Sequence, residues 1–174
     1  IVDGRITISD IKDLNVDDLL NRDEVQPDIK LLNKNINSKT VLVTGAGGSI
    51  GSELCRQIIK LKPKKLLLLE LNEFVLYKIY EELQNYNKGL KIISILADCK
   101  EQTKLETIFE IFKVDTVYHA AAYKHVPLVE ENICEGVRNN VFSTLAVAKA
   151  SVKKKVSNLV LISSDKAVRP TNIM

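Results

Sequence analysis

A glycine-rich run combines the residue types that bind a phosphate through backbone amides: Gly45, Ala46, Gly47, Gly48, Ser49, Ile50 and Gly51. An apolar run over residues 40–43 precedes it, and a helical pattern follows whose apolar face is formed by Ile50, Leu54, Ile58 and Leu61. A strand, a glycine turn and a helix in this order are typical of dinucleotide sites, because the first amides of the helix face the diphosphate. A plain strand-to-helix turn is the alternative.

Three glycines of this run have distinct predicted tasks. Gly45 allows the tight turn, Gly48 lets the backbone approach a diphosphate, and Gly51 lets the helix lie close to the strand. We therefore expect the amides around residues 46–50 to contact the diphosphate of a cofactor.

An acidic residue, Glu70, ends the next apolar run, 19 positions after Gly51. A carboxylate there accepts hydrogen bonds from ribose hydroxyls and repels a 2′-phosphate, so the sequence favours NAD over NADP. Glu73 is a rival for this role, and a surface glutamate that caps a strand is the alternative interpretation.

Small and polar residues follow the third and fourth apolar runs. Asp98 is placed to receive an adenine amino group, with Cys99 beside it, although a helix N-cap is an equally simple reading of Asp98. Three small residues stand at the end of the fourth apolar run: Ala120, Ala121 and Ala122. Small side chains allow the backbone either to run beneath a flat ligand or to pack tightly on a sheet.

Polar groups that could act on a substrate come next. Lys124 and His125 follow the alanines and are candidates for substrate contact. Ser164, Asp165 and Lys166 follow the fifth apolar run and bring a hydroxyl, a carboxyl and an amine together, as an acid–base cluster requires. An ordinary polar turn with a local ion pair is the alternative.

Five apolar runs position these groups. We predict strands over residues 40–43, 65–70, 91–96, 116–120 and 158–163, with helices after each of the first four. This alternation predicts an α/β fold with a doubly wound parallel sheet, a Rossmann fold, over residues 40–174. Because the ligands of such sheets lie beyond the carboxyl ends of the strands, all candidate groups should line one crevice.

The patterns also predict how the elements pack. The apolar runs 66–69 and 159–162 suggest strands covered by helices on both faces. After Pro127, one long helix is predicted from residue 128 to about 154, roughly 40 Å long at the usual rise per residue. Its apolar stripe serves either an oligomer interface or the sheet, and consists of Ile133, Val137, Val141, Leu145 and Ala148.

Composition excludes several other classes of protein. The 174 residues carry a net charge of +3, too small and scattered for nucleic acid, and lysines such as those at 153–155 are expected on solvated helix faces. The three cysteines lack Cys-x-x-Cys spacing and are expected to be structural, in a reducing compartment. No histidine lies near a ligand cluster, so no metal is expected.

Residues 1–39 are predicted to be a linker, and no run is long enough to cross a membrane.

Three motifs resemble a known family. Thr44-Gly45-x-x-Gly48-x-x-Gly51 is similar to the cofactor loop of extended short-chain dehydrogenases/reductases. Residues 119–127 (HAAAYKHVP) and 163–174 (SSDKAVRPTNIM) resemble the bacterial nucleotide-sugar 4,6-dehydratases that act on UDP-N-acetylglucosamine, in particular the membrane-anchored branch of polysaccharide biosynthesis. The resemblance covers about residues 15–174 and implies a cytoplasmic domain whose membrane segment is absent from this chain.

The resemblance also implies catalytic roles. Ser164 matches the active-site Ser or Thr of the superfamily, Asp165 the acid that protonates the departing hydroxyl, and Lys166 the base. Met174 falls where most of the superfamily has a catalytic Tyr, a departure that this branch shares and that leaves open which group takes the sugar hydroxyl proton. Asn140 matches a structural helix asparagine.

The implied reaction is redox-neutral: the sugar is oxidised at carbon 4, loses water across carbons 5 and 6, and is reduced at carbon 6. Lys166 must be neutral to remove the carbon 5 proton, which requires lowering its pKa from about 10.4 to about 7, or about 4–5 kcal/mol. Because an ion pair with Asp165 would shift both pKa values the wrong way, we predict that these two side chains do not pair in the productive state.

Two other functions remain open: an epimerase of the same fold, and a dinucleotide-binding sensor without chemistry. Residues 1–174 alone are expected to be inactive, because the substrate-binding half is absent. The resemblance further implies a homo-oligomer formed through the helical region after Pro127.

Overall fold

The computed structural model describes residues 27–164, 167, 169, 170 and 173. A five-stranded sheet has the order β3-β2-β1-β4-β5, and every neighbouring pair is parallel. The predicted doubly wound α/β fold is confirmed. The strands are β1 (Thr40–Thr44), β2 (Lys65–Glu70), β3 (Lys91–Leu96), β4 (Thr116–His119) and β5 (Asn158–Leu161).

Helices cover both faces of the sheet. They are α1 (Ile29–Ile36), α2 (Ser49–Lys60), α3 (Glu73–Tyr86), α4 (Gln102–Phe112), α5 (Val126–Glu131), α6 (Ile133–Val137), a π-helical segment (Arg138–Phe142) and α7 (Ser143–Lys153). Because successive strand residues point to opposite faces, Val41 and Val43 join one core with α1, α2 and α3, whereas Leu42 joins a second core with α4 and α7.

The predicted faces of two helices agree only in part with the buried ones. At α2, Ile58 is buried and Leu54 and Leu61 pack on the core as predicted, but Ile50 is 53% exposed and Cys55 and Ile59 are also buried. For α3, the spacing predicts a face of Phe74, Tyr77 and Leu83; Leu83 is buried together with Leu76 and Ile79, whereas Phe74 and Tyr77 are exposed. For α4, the spacing predicts a face of Leu105, Ile108, Phe109 and Phe112, which is confirmed, with Phe112 partly buried.

The end of the predicted linker is a helix. Asp28 caps α1 by accepting hydrogen bonds from the amides of Lys30 and Leu31 at 2.9 and 3.1 Å. Ile36 is 2% exposed in the first core, and the Thr116 hydroxyl donates to the Asn35 carbonyl at 2.7 Å. Residues 29–36 of the predicted linker thus form a helix that packs on the first core through Ile36.

The region after Pro127 is not one long helix. Pro127 lies in the first turn of α5 as predicted, but Asn132 leaves helical geometry (φ −131°, ψ 52°). The chain then passes through α6 and the π-helical segment into α7. The predicted apolar stripe does not pack on the sheet: Ile133, Val137, Val141 and Leu145 are exposed, while Ala146, Val147 and Ala150 are buried.

Strand β5 is less covered than its sequence predicted. Leu159 and Leu161 are 40% and 53% exposed. Within the described residues β5 is an edge strand that pairs only with β4. An apolar run thus predicted a strand correctly but overestimated its burial.

Candidate cofactor-binding site

A cavity of about 510 Å³ lies at the carboxyl ends of the strands. Its position, where the strand order reverses between β1 and β4, is the place at which doubly wound sheets bind ligands. Nine of the predicted residues line it: Gly45, Gly47, Gly48, Glu70, Asp98, Cys99, Ala120, Ala121 and Ala122. The sheet therefore brings together groups that are up to 77 positions apart in the chain.

The tight turn that the sequence predicts at Gly45 is present. Gly45 has φ +63°, a conformation that favours glycine, and a Cβ on it would lie 2.8 Å from the Ala121 backbone. A Cβ on Gly51 would lie 1.9 Å from the Gly45 carbonyl oxygen. Gly51 thus allows α2 to approach the turn itself, rather than the strand.

Helix α2 begins directly after the glycines that line the cavity. Gly48 occupies the N-cap position, where no side chain caps the helix. The amides of the first turn have no intrahelical acceptor, so those of Ser49 and Ile50 are suited to an anion. Ala46 is fully buried and packs in the first core beside the turn.

Glu70 holds the glycine turn and the β2–α3 turn together. One carboxylate oxygen accepts from the Gly47 amide at 3.1 Å, and the other accepts from the amides of Leu71 and Asn72 at 2.9 and 3.2 Å. Glu70 therefore caps the end of β2, as the alternative interpretation predicts. The same carboxylate lines the cavity, where its remaining lone pairs can accept hydroxyl protons.

Asp98 does not cap helix α4. Its carboxylate accepts from the Lys100 amide at 2.8 Å and pairs with the Lys100 ammonium at 3.2 Å, while Glu101 occupies the N-cap position. Cys99 is buried beside it, and burial raises the pKa of its thiol to about 12. The thiol stays protonated at neutral pH, as expected for a structural cysteine.

Residues 120–122, here called the alanine loop, are followed by Tyr123, whose backbone is held by an asparagine from the π-helical segment. The Asn140 side chain accepts from the Tyr123 amide at 2.8 Å and donates to the Tyr123 carbonyl at 3.0 Å. At its other end, the Ala120 amide donates to the Thr44 carbonyl at 3.2 Å. Asn140 therefore has the structural role that the resemblance implied, and single-turn π segments frequently occur at functional sites.

Lys124 and His125 lie beside the main cavity rather than in it. They line a second cavity of about 290 Å³ with residues of α5 and α6. The Lys124 ammonium reaches the Ser49 hydroxyl at 3.4 Å, which places a positive charge at the start of α2. The two cavities share Tyr123.

The predicted acid–base cluster is described only at its first residue. Ser164 is exposed beyond the end of β5. Asp165, Lys166 and Met174 lie outside the described residues, so their roles and the predicted lack of a pair between Asp165 and Lys166 stay predictions. Within the described part of the chain, no group of His, Cys, Asp and Glu could hold a metal ion.

The sequence reasoning missed eight lining residues: Leu69, Leu71, Asn72, Val75, Ala97, Tyr123, Asn139 and Ser143. The sequence indicates one of them, Asn72, through its position as a helix N-cap. Asn72 lies between the end of β2 and a helical pattern, and its side chain caps α3 by accepting from the Val75 amide at 3.2 Å. Asn139 and Ser143 have no such signal, because their placement depends on the π-helical segment.

His119 connects the sheet to α7 and is 2% exposed. Its Nδ1 lies 2.7 Å from the Thr44 hydroxyl, and its Nε2 lies 3.1 Å from the Thr144 hydroxyl. The Thr144 hydroxyl donates to the Asn140 carbonyl at 2.7 Å, so it accepts from Nε2–H. In the neutral imidazole, which burial favours, Nδ1 accepts from the Thr44 hydroxyl.

Acidification should therefore destabilise the domain through His119. Burial lowers the pKa of His119 from 6.5 to about 4. Between these two pH values the unfolded state binds more protons than the folded state. The contribution of His119 to the free energy of unfolding is therefore largely present above pH 6.5, and about 3 kcal/mol of it is lost as the pH drops to 4. Urea unfolding across this range should show a shallower decline for His119→Asn. The exposed His125→Asn control should match the unmodified chain; equal slopes for all three would contradict this role.

The fold and the site define a class: a doubly wound α/β domain of the Rossmann type with a glycine turn at its switch point. Residues 41–174 match the family described as polysaccharide biosynthesis protein. The chain belongs to this family.

Several named proteins are similar to the chain. It is 43% identical to the capsular polysaccharide biosynthesis protein CapD of Staphylococcus aureus and 45% identical to the probable polysaccharide biosynthesis protein EpsC of Bacillus subtilis, over 100% and 98% of this chain. An uncharacterized membrane protein of Methanocaldococcus jannaschii is 40% identical over 78% of this chain and 39% of its own length. A UDP-N-acetylglucosamine 4,6-dehydratase (inverting) of Campylobacter jejuni is 30% identical over 79% of this chain and 40% of its own length. The chain spans 29% of the length of CapD and of EpsC.

Solved structures share the fold. Pen from Bacillus thuringiensis has a TM-score of 0.74 and 32% identity, over 80% of this chain and 43% of Pen. The UDP-glucose 4-epimerase of Stenotrophomonas maltophila, solved with bound NAD and formylated UDP-arabinopyranose, has a TM-score of 0.65 and 23% identity, over 74% of this chain and 38% of that chain.

Proposed function

We propose that this chain is the cofactor-binding part of a NAD-dependent nucleotide-sugar 4,6-dehydratase that acts on UDP-N-acetylglucosamine. The observation that carries the proposal is the cavity at the carboxyl ends of the strands, where the glycine turn, Glu70, Asp98 and the alanine loop converge. The 30% identity to a dehydratase of that specificity supports the choice of reaction.

The residues of the cavity fit a dinucleotide. The amides of Ala46, Gly47 and Gly48 already donate within the protein, so the first amides of α2, those of Ser49 and Ile50, would hold the diphosphate. Glu70 would accept the adenosine ribose hydroxyls, and Asp98 would receive the adenine amino group. Cavities that take small ligands usually measure about 300–1,000 Å³, and 510 Å³ is within this range. NAD held there would supply the hydride acceptor for oxidation at carbon 4 of the sugar and the hydride donor for reduction at carbon 6.

Removing the charge of Glu70 should weaken the discrimination against NADP. In Glu70→Gln we expect the ratio of NADP to NAD dissociation constants to fall about tenfold, because a neutral amide no longer repels the 2′-phosphate. Titration calorimetry with both cofactors measures the ratio. Glu73→Gln, which removes an acid three positions later, is the matched control and should leave the ratio unchanged. A shift in Glu73→Gln alone would assign the ribose contact to Glu73.

The remaining roles follow from the motifs at the end of the chain. Ser164 lies beside the sugar hydroxyl that is oxidised, Lys166 removes the carbon 5 proton, and Asp165 protonates the leaving hydroxyl. Lys124, whose ammonium lies near the start of α2, and His125 contact the UDP-sugar from the second cavity. Met174 occupies the position of the usual tyrosine.

The whole protein is proposed to be a homo-oligomer and to be anchored to the membrane outside this chain. The exposed stripe Ile133, Val137, Val141 and Leu145 is a suitable subunit surface, since large apolar side chains rarely face water together. None of the helices in the described part of the chain has the length and apolarity that crossing a lipid bilayer requires.

The reaction is tested by incubating the full-length protein with UDP-N-acetylglucosamine and weighing the product. A dehydratase releases a UDP-sugar that has lost one water and gained a ketone. An epimerase gives a product of unchanged mass and a new sugar configuration, and a sensor gives no product; either result would reject the proposed reaction.

A further inference from the structure

Lysines are concentrated at the edge of the sheet that is opposite the cofactor cavity. Because the strands are parallel, every helix-to-strand turn lies at their amino ends. Six lysines in these turns or at the start of β2 are here called the basic edge: Lys39, Lys62, Lys64, Lys65, Lys113 and Lys155. Lys88 and Lys154 lie in the same turns, and Lys154 is paired with Glu110. The sequence predicts such lysines on solvated helix faces, since their common edge is visible only once the strand order is known.

Backbone contacts join the turns of the basic edge. The Lys64 amide donates to the Lys39 carbonyl at 2.8 Å, and the Ser38 amide donates to the Lys62 carbonyl at 3.1 Å. Lys65 pairs in register with Lys91, which extends the row to β3. With about 4.8 Å between neighbouring strands, the row is roughly 20 Å wide.

The positive charge of the basic edge is poorly compensated. Asp115, the carboxylate nearest to it in the chain, accepts from the Thr40 amide at 2.8 Å. Two glutamates of α4 pair instead with Lys153 and Lys154. Among the described residues, no carboxylate forms an ion pair with any of the six lysines.

Three of these lysines occupy backbone positions that favour glycine. Lys62, Lys113 and Lys155 have φ of 53°, 53° and 54° directly after helices. The left-handed conformation is unfavourable for a residue with a Cβ, and the attraction of a cation to a helix carboxyl end offsets this only in part. The lysines therefore bring little gain in folding stability.

Exposed apolar side chains accompany the charge. Tyr86, Ile111 and Val152 lie in the last turns of α3, α4 and α7, which end at the same edge, and they are 65%, 66% and 80% exposed. Lysines beside exposed apolar and aromatic groups are characteristic of surfaces that bind the lipid headgroup region.

We propose that the basic edge docks on the surface of an anionic lipid bilayer. The cofactor cavity, at the opposite edge of the sheet, then faces away from the membrane. Nucleic acid fits less well, because single-stranded binders interleave several exposed aromatic side chains with their cations, and of the described residues at this edge only Tyr86 is an exposed aromatic. A relative described as a membrane protein is 40% identical to the chain. The chain also passes from α1 into β1 at this edge, through Lys39.

The test is co-sedimentation of the 174-residue chain with vesicles. Each lysine near an anionic surface contributes about fivefold to binding, so vesicles with about 30% phosphatidylglycerol should bind the triple variant Lys62→Asn, Lys113→Asn, Lys155→Asn about 100-fold more weakly than the unmodified chain. Asparagine tolerates the left-handed backbone, which protects the fold. The control removes three exposed lysines of other surfaces: Lys78→Gln, Lys104→Gln, Lys149→Gln.

The two triple variants have equal net charge, so only the position of the charge differs. Binding that is retained in the control, lost in the basic-edge variant and absent with phosphatidylcholine vesicles supports the proposal. Equal losses in both variants, or binding to duplex or single-stranded oligonucleotides without binding to the anionic vesicles, would overturn it. NAD affinity should be the same in all three proteins, so this result is independent of the proposed enzymatic function.

Discussion

Replacing Gly51 with alanine is expected to lower the free energy of unfolding by about 3 kcal/mol and to abolish NAD binding. The added Cβ would lie 1.9 Å from the Gly45 carbonyl oxygen, which is backbone and cannot rotate away. Helix α2 must then move from the glycine turn, and its first amides leave the position in which they face the diphosphate. Urea unfolding and titration calorimetry measure the two effects.

The matched control is Gly89→Ala, which adds the same methyl group in the turn before β3. Its Cβ would have its nearest neighbour, the Asn87 side chain, at an ordinary 3.6 Å. Its stability should change by no more than about 0.5 kcal/mol. If Gly51→Ala were as stable as this control and bound NAD normally, the close approach of α2 to the turn would not matter for either property.

Replacing Lys166 with alanine in the full-length protein should reduce kcat about 10³-fold, the usual contribution of a general base. NAD binding should change less than twofold, because the diphosphate and ribose contacts proposed here come from the other strands. Stopped-flow or product assays give kcat, and calorimetry gives the cofactor affinity.

Lys149→Ala, which removes an exposed lysine of α7, is the control for loss of charge and should keep full activity. The base should also appear in the pH–rate profile as a group that must be deprotonated, with an apparent pKa below the usual range of a lysine. Full turnover of Lys166→Ala would reject lysine as the base and leave the proton transfer to another group.

The order of strands and helices could be predicted from the sequence because each element has its own periodic pattern. β2 and β3 have the predicted bounds, and α4 buries the predicted face. The faces of α2 and α3 could be assigned only in part, since α3 carries apolar residues on several sides and the close approach of Gly51 to the turn at Gly45 fixes how α2 is oriented. Tertiary contact decides what spacing leaves open.

Most of the cavity was also predictable, because polar and small residues directly after parallel strands must meet at one edge. Glu70, Asp98 and Ala120 are examples. Asn139 and Ser143 were not, because a π-helical segment re-aims side chains that the predicted uniform helix would place elsewhere. The basic edge was missed for a related reason: its lysines are adjacent only in the folded sheet.

The glycine turn and the start of α2 are proposed to bind the diphosphate of NAD. Gly48 offers a sharp probe, because its backbone is extended (φ −71°, ψ 167°), so any residue can adopt it, and it lines the cavity. A Cβ there would lie 3.3 Å from the Gly45 carbonyl oxygen, so Gly48→Val should fold with a small local shift while its side chain fills the diphosphate position. Titration calorimetry of the 174-residue chain should show uptake of one NAD, and none by folded Gly48→Val. No uptake by the unmodified chain, or equal uptake by both proteins, would contradict this account.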